Sequence, residues 1–164
     1  MKTRIAINGF GRIGRNLFRL LLNHPTIEVV AINDIADNKT MAHLVKYDSI
    51  HGVLNHKVSF SDDSIIIDDK SFLFFHEREI KNLDWKSINV DIVIESTGKF
   101  KTFEEINQHI LAGAKKVILS APSEVDEIKT VVLGVNEHIL DGSETIISNA
   151  SCTTNNAAPM IKII

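Results

Sequence analysis

Arg4-Ile5-Ala6-Ile7-Asn8-Gly9-Phe10-Gly11-Arg12-Ile13-Gly14, near the start of this 164-residue chain, decides the fold. Residues 4–8 read as one short buried strand, and Leu17, Phe18, Leu20, Leu21 and Leu22 recur as the apolar face of a helix. Between them stand three glycines spaced Gly-x-Gly-x-x-Gly. In a strand–turn–helix the first glycine makes the tight turn, the second lets the backbone approach a pyrophosphate, and the third lets the helix pack closely. An anion would rest on the unpaired N–H groups at the helix start. A second strand over 27–32 runs into Asn33-Asp34. An acid at that strand end can accept both hydroxyls of an adenosine ribose, and its charge repels a 2'-phosphate. The expected cofactor is therefore NAD, with a solvated strand-end acid as the plainer reading of Asp34.

The rest of the chain extends this beginning into an α/β fold, a doubly wound Rossmann-type and mostly parallel sheet with a small antiparallel insertion. The pattern predicts a short helix over 40–47, then short strands over 57–60, 64–67 and 71–75 joined by Asp-rich turns. Those strands are the insertion, expected on the edge of the main sheet. Alternation resumes with a strand over 91–95, a helix over 103–112 stopped by Gly113, and strands over 116–119, 130–133 and 145–147. The clearest boundary falls near Ala150, so residues 1–150 are expected as one domain and 151–164 as the first helix of another.

Composition excludes several classes. The chain is 44% hydrophobic, with three prolines and eight glycines, which suits a domain with a real core. Eighteen basic against 21 acidic side chains give a net charge of -3, with no basic block for nucleic acid or an anionic membrane. No apolar stretch approaches the roughly 20 residues that span a bilayer, and the first residues lack a signal-peptide core, so a cytoplasmic protein is expected. A single cysteine leaves no internal disulfide, and the seven scattered histidines lack the clustered spacing of a zinc site. No metal is expected.

In a parallel sheet of this kind ligands sit beyond the carboxyl ends of the strands, and three segments end there. Glu95-Ser96-Thr97-Gly98-Lys99-Phe100 and Leu119-Ser120-Ala121-Pro122 bring small hydroxyls and one aromatic face; each of these hydroxyls can equally be a turn or cap, and Phe100 can equally be core. The third, Ser148-Asn149-Ala150-Ser151-Cys152, carries the only cysteine to the start of a final helix. A free cysteine is commonly a small buried hydrophobe. Here its neighbours Asn149, Ser151, Thr153, Thr154 and Asn155 are polar, and a helix start surrounds it with unpaired N–H groups, the setting of a nucleophile. Pro159 has no N–H for the carbonyl of Asn155, so a bend or loosened turn is expected in that helix.

Taken together, Ile-Asn-Gly-Phe-Gly-Arg-Ile-Gly-Arg at 7–15, Asn-Asp at 33–34, Glu-Ser-Thr-Gly-Lys-Phe at 95–100, Ser-Ala-Pro at 120–122, Leu-Gly-Val-Asn at 133–136 and Ser-Asn-Ala-Ser-Cys-Thr-Thr-Asn at 148–155 resemble phosphorylating glyceraldehyde-3-phosphate dehydrogenases along the whole chain. The resemblance implies NAD-dependent oxidation of glyceraldehyde 3-phosphate to 1,3-bisphosphoglycerate in glycolysis, in a homotetramer, with a sugar phosphate and inorganic phosphate as substrates. It implies Cys152 as nucleophile and Ser151 and Thr153 at a phosphate site. For the cofactor it implies Gly9, Arg12 and Ile13 at the pyrophosphate, Asp34 at the ribose, Arg78, Thr97 and Phe100 around adenine, and Ser120 near the nicotinamide. Asn156 stands where many members have a second cysteine, which is not the nucleophile. The resemblance places the catalytic histidine, further phosphate ligands and a nicotinamide-orienting asparagine in a C-terminal half beyond Ile164, so the chain is expected to be an inactive fragment cut within a helix. Erythrose-4-phosphate dehydrogenase and a non-catalytic dinucleotide-binding module are the alternatives.

Overall fold

The computed structural model describes residues 2–164, as a nine-stranded sheet with helices on both faces. Its parallel core begins with β1 (Thr3–Asn8), crosses over α1 (Arg12–Leu21) and returns as β2 (Ile27–Asn33) alongside β1. The side chains of β1 alternate across the sheet as a two-residue period requires. Ile5 and Ile7 join a core with Phe18, Val29, Ile32 and Phe72, while Ala6 faces Ala31, Val93 and Val117 in the core on the other side. Phe18 anchors α1, fully buried and edge-on to Phe10 at 5.4 Å and to Phe72 at 4.8 Å. Burying such a ring stabilises the fold by about 1.5–3 kcal/mol.

After β2 comes α2 (Asn38–Lys46), whose first turn is capped by Asp37 accepting from the Thr40 N–H at 2.8 Å. A two-residue hairpin, β3 (Tyr47–Asp48) with β4 (Gly52–Val53), precedes β5 (Val58–Phe60), β6 (Ser64–Ile67) and β7 (Lys70–Phe75). β5, β6 and β7 pair antiparallel, and β7 docks parallel against β2. The expected edge insertion is present; the hairpin was not expected. Parallel pairing resumes on the other side of β1 with β8 (Ile92–Glu95), then α3 (Phe103–Leu111), β9 (Lys116–Leu119), β10 (Lys129–Thr130), β11 (Ile146–Ser148) and α4 (Cys152–Ile163). A capping box in which Thr102 and Glu105 exchange hydrogen bonds starts α3. The N–H groups of Lys101 and Thr102 hold the Glu105 carboxyl below its ordinary value.

Two expectations need adjustment. The strand expected over 130–133 shrinks to the two-residue β10: the Val131 N–H makes the last bond of the ladder, to the Ser148 carbonyl of β11, and the Val132 N–H turns to the Asn136 side chain instead. The last helix runs continuously with Pro159 inside it, since a proline removes only one of the ladder's bonds.

The strand order is β10-β11-β9-β8-β1-β2-β7-β6-β5. From β1 the chain moves out to β2, reaches the far edge at β5 and folds back through β6 to β7, then crosses to place β8 on the opposite side of β1. The carboxyl ends of β1 and β8 therefore flank the point where the winding reverses, where such sheets open a crevice.

Candidate functional site

The glycine turn occupies that crevice, and each glycine answers a different steric demand. Gly9, directly after β1, has φ +92° and lies so close to the segment after β8 that a Cβ would stand 2.5 Å from the Thr97 nitrogen. Gly14 packs against the turn itself; a Cβ there would meet the Gly9 carbonyl oxygen at 2.2 Å. Gly11 has nothing within 4 Å of its missing Cβ and borders a cavity. Arg15 donates to the Gly11 carbonyl at 3.0 Å, so the N–H groups of Arg12, Ile13 and Gly14 precede the first helical bond. Beneath the turn, the Arg15 guanidinium donates to the Phe10 carbonyl at 2.8 Å. Burial lowers the Arg15 guanidinium from its ordinary value, and the Asp48 charge opposes that.

Asp34 follows β2 and reaches back to the turn. One carboxylate oxygen accepts from the Phe10 N–H at 2.6 Å, the other from the Ala36 N–H at 3.0 Å. These two bonds fix the carboxylate at the mouth of the cavity and leave further lone pairs open. The cavity, of roughly 430 Å³, is lined by Gly9, Gly11, Asp34, Arg78, Thr97 and Phe100 among others. Four separated stretches thus meet at one place. Arg78 is exposed on its rim, and Phe100 is half-buried with the Lys99 ammonium 4.9 Å from its ring centre. Arg12 and Ile13 stand exposed at the helix start beside Gly11, outside the cavity wall.

Ser120 and Cys152 lie further along the same edge, since β9 and β11 run parallel to β8. Ser120 is half-buried, its N–H bonded to the Glu95 carbonyl at 2.9 Å. Ala150 turns the chain after β11 with φ +58°, a left-handed conformation that costs a non-glycine residue about 1–2 kcal/mol. The Ser148 hydroxyl supports it, accepting from the Ala150 N–H at 3.1 Å and donating to the Ala121 carbonyl at 2.6 Å. Ser151 then caps α4 by accepting from the Thr154 N–H at 3.0 Å, which makes Cys152 the first residue of the helix. Both Cys152 and Thr153 are exposed.

At the cavity floor and beneath it lies a set of side chains that the sequence did not bring forward. Asn8, Asn33, Glu95, His109 and Trp85 are all at least nine-tenths buried and form a continuous hydrogen-bonded series. Their only outward signal is a charged residue ending the otherwise apolar β8 and an asparagine ending each of β1 and β2.

A parallel sheet wound outward from β1, a glycine turn open at its second glycine, free helix N–H groups, and an acid at the end of β2 together define a dinucleotide-binding domain of the Rossmann type. Comparison with known proteins narrows this. The family model for the NAD binding domain of glyceraldehyde 3-phosphate dehydrogenase matches residues 3–103, and the chain belongs to that family. Its cofactor is NAD. Over 161 residues the chain is 52% identical to a glyceraldehyde-3-phosphate dehydrogenase of Mycoplasma pneumoniae, covering 98% of this chain and 48% of that protein. It is 50% identical over 165 residues to that of Geobacillus stearothermophilus, covering 100% and 49%. With that of Thermotoga maritima it shares 52% over 163 residues, covering 98% and 49%. The chain spans about half the length of the relatives it matches.

Proposed function

We propose that this chain is the NAD-binding part of an enzyme that oxidises glyceraldehyde 3-phosphate and captures the product as an acyl phosphate, with Cys152 as its nucleophile. The observation that carries the reading is the position of Cys152: exposed, first in α4, and on the sheet edge that opens the cavity. Residues 1–150 would form the cofactor domain and 151–164 the start of the catalytic one.

The residues present suit NAD. Gly11 leaves open the space that a side chain would take from a pyrophosphate, and the Arg12 and Ile13 N–H groups face an anion there. The Asp34 carboxylate would hold the adenosine ribose, with Arg78, Thr97 and Phe100 around the adenine and Ser120 toward the nicotinamide. When bound, NAD supplies the hydride acceptor. Cys152 Sγ would attack the aldehyde carbon, and its own N–H, free at the helix start, would hydrogen-bond the oxygen on which charge develops. Oxidation leaves an acyl group on sulfur, which inorganic phosphate then takes up as the acyl phosphate. Ser151 and Thr153 would hold a phosphate group, Ser151 through whatever its capping hydroxyl has to spare. A homotetrameric parent in the cytoplasm belongs to the same proposal.

Two measurements test it. The 164-residue chain should bind ADP-ribose nearly as well as NAD in calorimetric titration and take up one equivalent of iodoacetamide at Cys152, without reducing NAD when given glyceraldehyde 3-phosphate and phosphate. The longer protein containing it should reduce NAD in a phosphate-dependent way and lose that activity on Cys152→Ser. Turnover that survives Cys152→Ser would remove Cys152 as nucleophile.

A further inference from the structure

The buried series under the cavity has its orientation set by two groups with no choice. Trp85 Nε1 is a donor only, and it points at His109 Nδ1 at 3.0 Å. His109 Nδ1 must therefore be the unprotonated nitrogen, which puts the ring's proton on Nε2, 3.0 Å from Glu95 Oε2. The Glu95 carboxylate is an acceptor only. It takes the His109 Nε2 proton and an Asn8 Nδ2 proton on one oxygen, and the Thr97 N–H, at 2.8 Å, and the Thr97 hydroxyl on the other. With its amino group spent on Glu95, Asn8 turns its carbonyl to Asn33 Nδ2 at 2.7 Å. Asn33 then grips the Glu77 peptide from both sides, Nδ2 to its carbonyl at 2.9 Å and Oδ1 to its N–H at 2.8 Å.

Two members of this series each hold one wall of the cavity. Glu95 fixes Thr97, and Asn33 fixes Glu77, next to Arg78; all four of Thr97, Asn33, Glu77 and Arg78 line the cavity. We propose that Trp85, His109, Glu95, Asn8 and Asn33 are positioning residues that tie the two walls of the adenosine pocket into one unit, with the Glu95 carboxylate setting the direction of every amide between them. The proposal rests on the cofactor reading of the cavity.

Direction makes it testable, because an amide in place of the carboxylate can satisfy only one side. In Glu95→Gln the side-chain oxygen stays with the Thr97 N–H, whose direction the backbone fixes. The new NH2 then faces Asn8 Nδ2 and His109 Nε2–H, and Trp85 prevents the ring from moving its proton. Only Asn8 can turn over. That forces Asn33 over as well and sets donor against donor at the Glu77 N–H. The disturbance thus remains beside the substitution at His109 Nε2–H and also emerges across the pocket, at the Glu77 N–H.

Adding Asn8→Asp reverses it. A carboxylate at position 8 accepts from Asn33 Nδ2 and from the new amide at position 95, and its oxygen takes the place of Asn8 Nδ2, 3.4 Å from His109 Nε2. Asn8→Asp alone sets two carboxylates face to face. Each single substitution is therefore harmful and the pair restores the series.

The experiment uses the 164-residue chain, its two single variants and the double variant. Readouts are amide hydrogen exchange by NMR, the imidazole nitrogen shifts of His109, and calorimetric titration with ADP-ribose. In Glu95→Gln the Glu77 amide should lose protection by about tenfold or more while Thr97 keeps its own, and ADP-ribose affinity should fall by about tenfold. Both should return to within about threefold of the parent in the double variant. His109 in the parent should carry its proton on Nε2. Uniform loss of protection across the sheet, a double variant no better than the worse single one, or a proton on Nδ1 would overturn the proposal. If Glu95→Gln does not fold, the His109 proton position and the refolding of the double variant still decide. A parent chain that binds no ADP-ribose would sink the cofactor reading instead, and the exchange pattern would judge the series on its own.

Discussion

Substituting alanine at each of the three glycines in turn should separate folding from binding. At Gly9 the structure opposes a methyl twice. With φ +92° the left-handed backbone disfavours any Cβ by about 1–2 kcal/mol. The contact at 2.5 Å from the Thr97 nitrogen is with backbone, which cannot swing aside, and overpacking of that kind costs about 1–3 kcal/mol more. Together these remove about 2–5 kcal/mol from a domain whose total stability is on the order of 5–15 kcal/mol. At about 2–4 °C per kcal/mol, Gly9→Ala should melt about 4–20 °C lower. Gly11→Ala is the opposite case. Its φ of -68° suits any residue and nothing lies within 4 Å of the new methyl, so stability should shift by no more than about 1 kcal/mol, the scale of a helix-cap change. On the proposed cofactor reading that methyl would take the space of the pyrophosphate, and ADP-ribose affinity should fall by about tenfold or more. Gly14→Ala, with a contact at 2.2 Å, should resemble Gly9→Ala. Thermal melting and calorimetric titration read the two effects separately. A Gly11→Ala chain that melts and binds like the parent would refute the placement of the phosphates, and a Gly9→Ala chain with unchanged melting would refute the steric account.

Three further outcomes are expected. Asp34→Asn should keep an acceptor for the Phe10 N–H while losing the charge, and so narrow the preference for ADP-ribose over its 2'-phosphorylated form by about tenfold; an unchanged ratio in paired titrations removes Asp34 from cofactor selection. Ser151→Ala removes the cap bond to Thr154 and should loosen the first turn of α4 at a cost of about 1 kcal/mol, seen as faster amide exchange at Thr154 with no change elsewhere in the sheet. Glu144 is pulled from 4.5 to about 2, first by its bond from the Lys129 ammonium. A depressed carboxyl stabilises the fold above its unfolded value and loses that contribution as pH falls through its folded value. Glu144→Gln should therefore lower the melting temperature at pH 7, with the difference closing as pH approaches 2; a constant difference across that range contradicts the ion-pair account.

How much of this was legible without coordinates depended on how local each cause was. The glycine turn, β1, α1 and Asp34 follow from residues that act within a few positions of themselves, and the structure places them as their spacing implies. The strands over 64–67 and 116–119 coincide with β6 and β9, where alternating or continuous apolar runs meet clear turns. The pattern failed where chain-distant partners decide. Val132 looks like strand but donates to the Asn136 side chain, and the hairpin of β3 and β4 has only two residues on each side, too few for any period. For the site, Asp34, Thr97 and Phe100 were named from strand ends, and the cavity does gather them. That Arg12 and Ile13 stand beside it and not in its wall follows from the direction of helix side chains, which a motif does not carry.

The buried series shows why the remainder escaped. Asn8 meets Glu95 across 87 residues and Asn33 meets Glu77 across 44, so nothing in either neighbourhood announces the pair. What a sequence does show is a polar residue at the last position of three strands that end side by side. In a sheet wound from its middle those three ends are neighbours by topology, since β2, β1 and β8 are consecutive in the strand order. A polar group in that position is either at the mouth of the crevice or beneath it. If beneath, it must find partners among the other strand ends, because an unpaired buried amide or carboxylate is too costly to keep. Once the strand order was known, Asn8, Asn33 and Glu95 were therefore bound to meet. His109 completes them because α3 is the crossover that follows β8 and covers its end. The same topology that opens the cofactor crevice thus brings together, directly below it, the polar residues able to hold its walls.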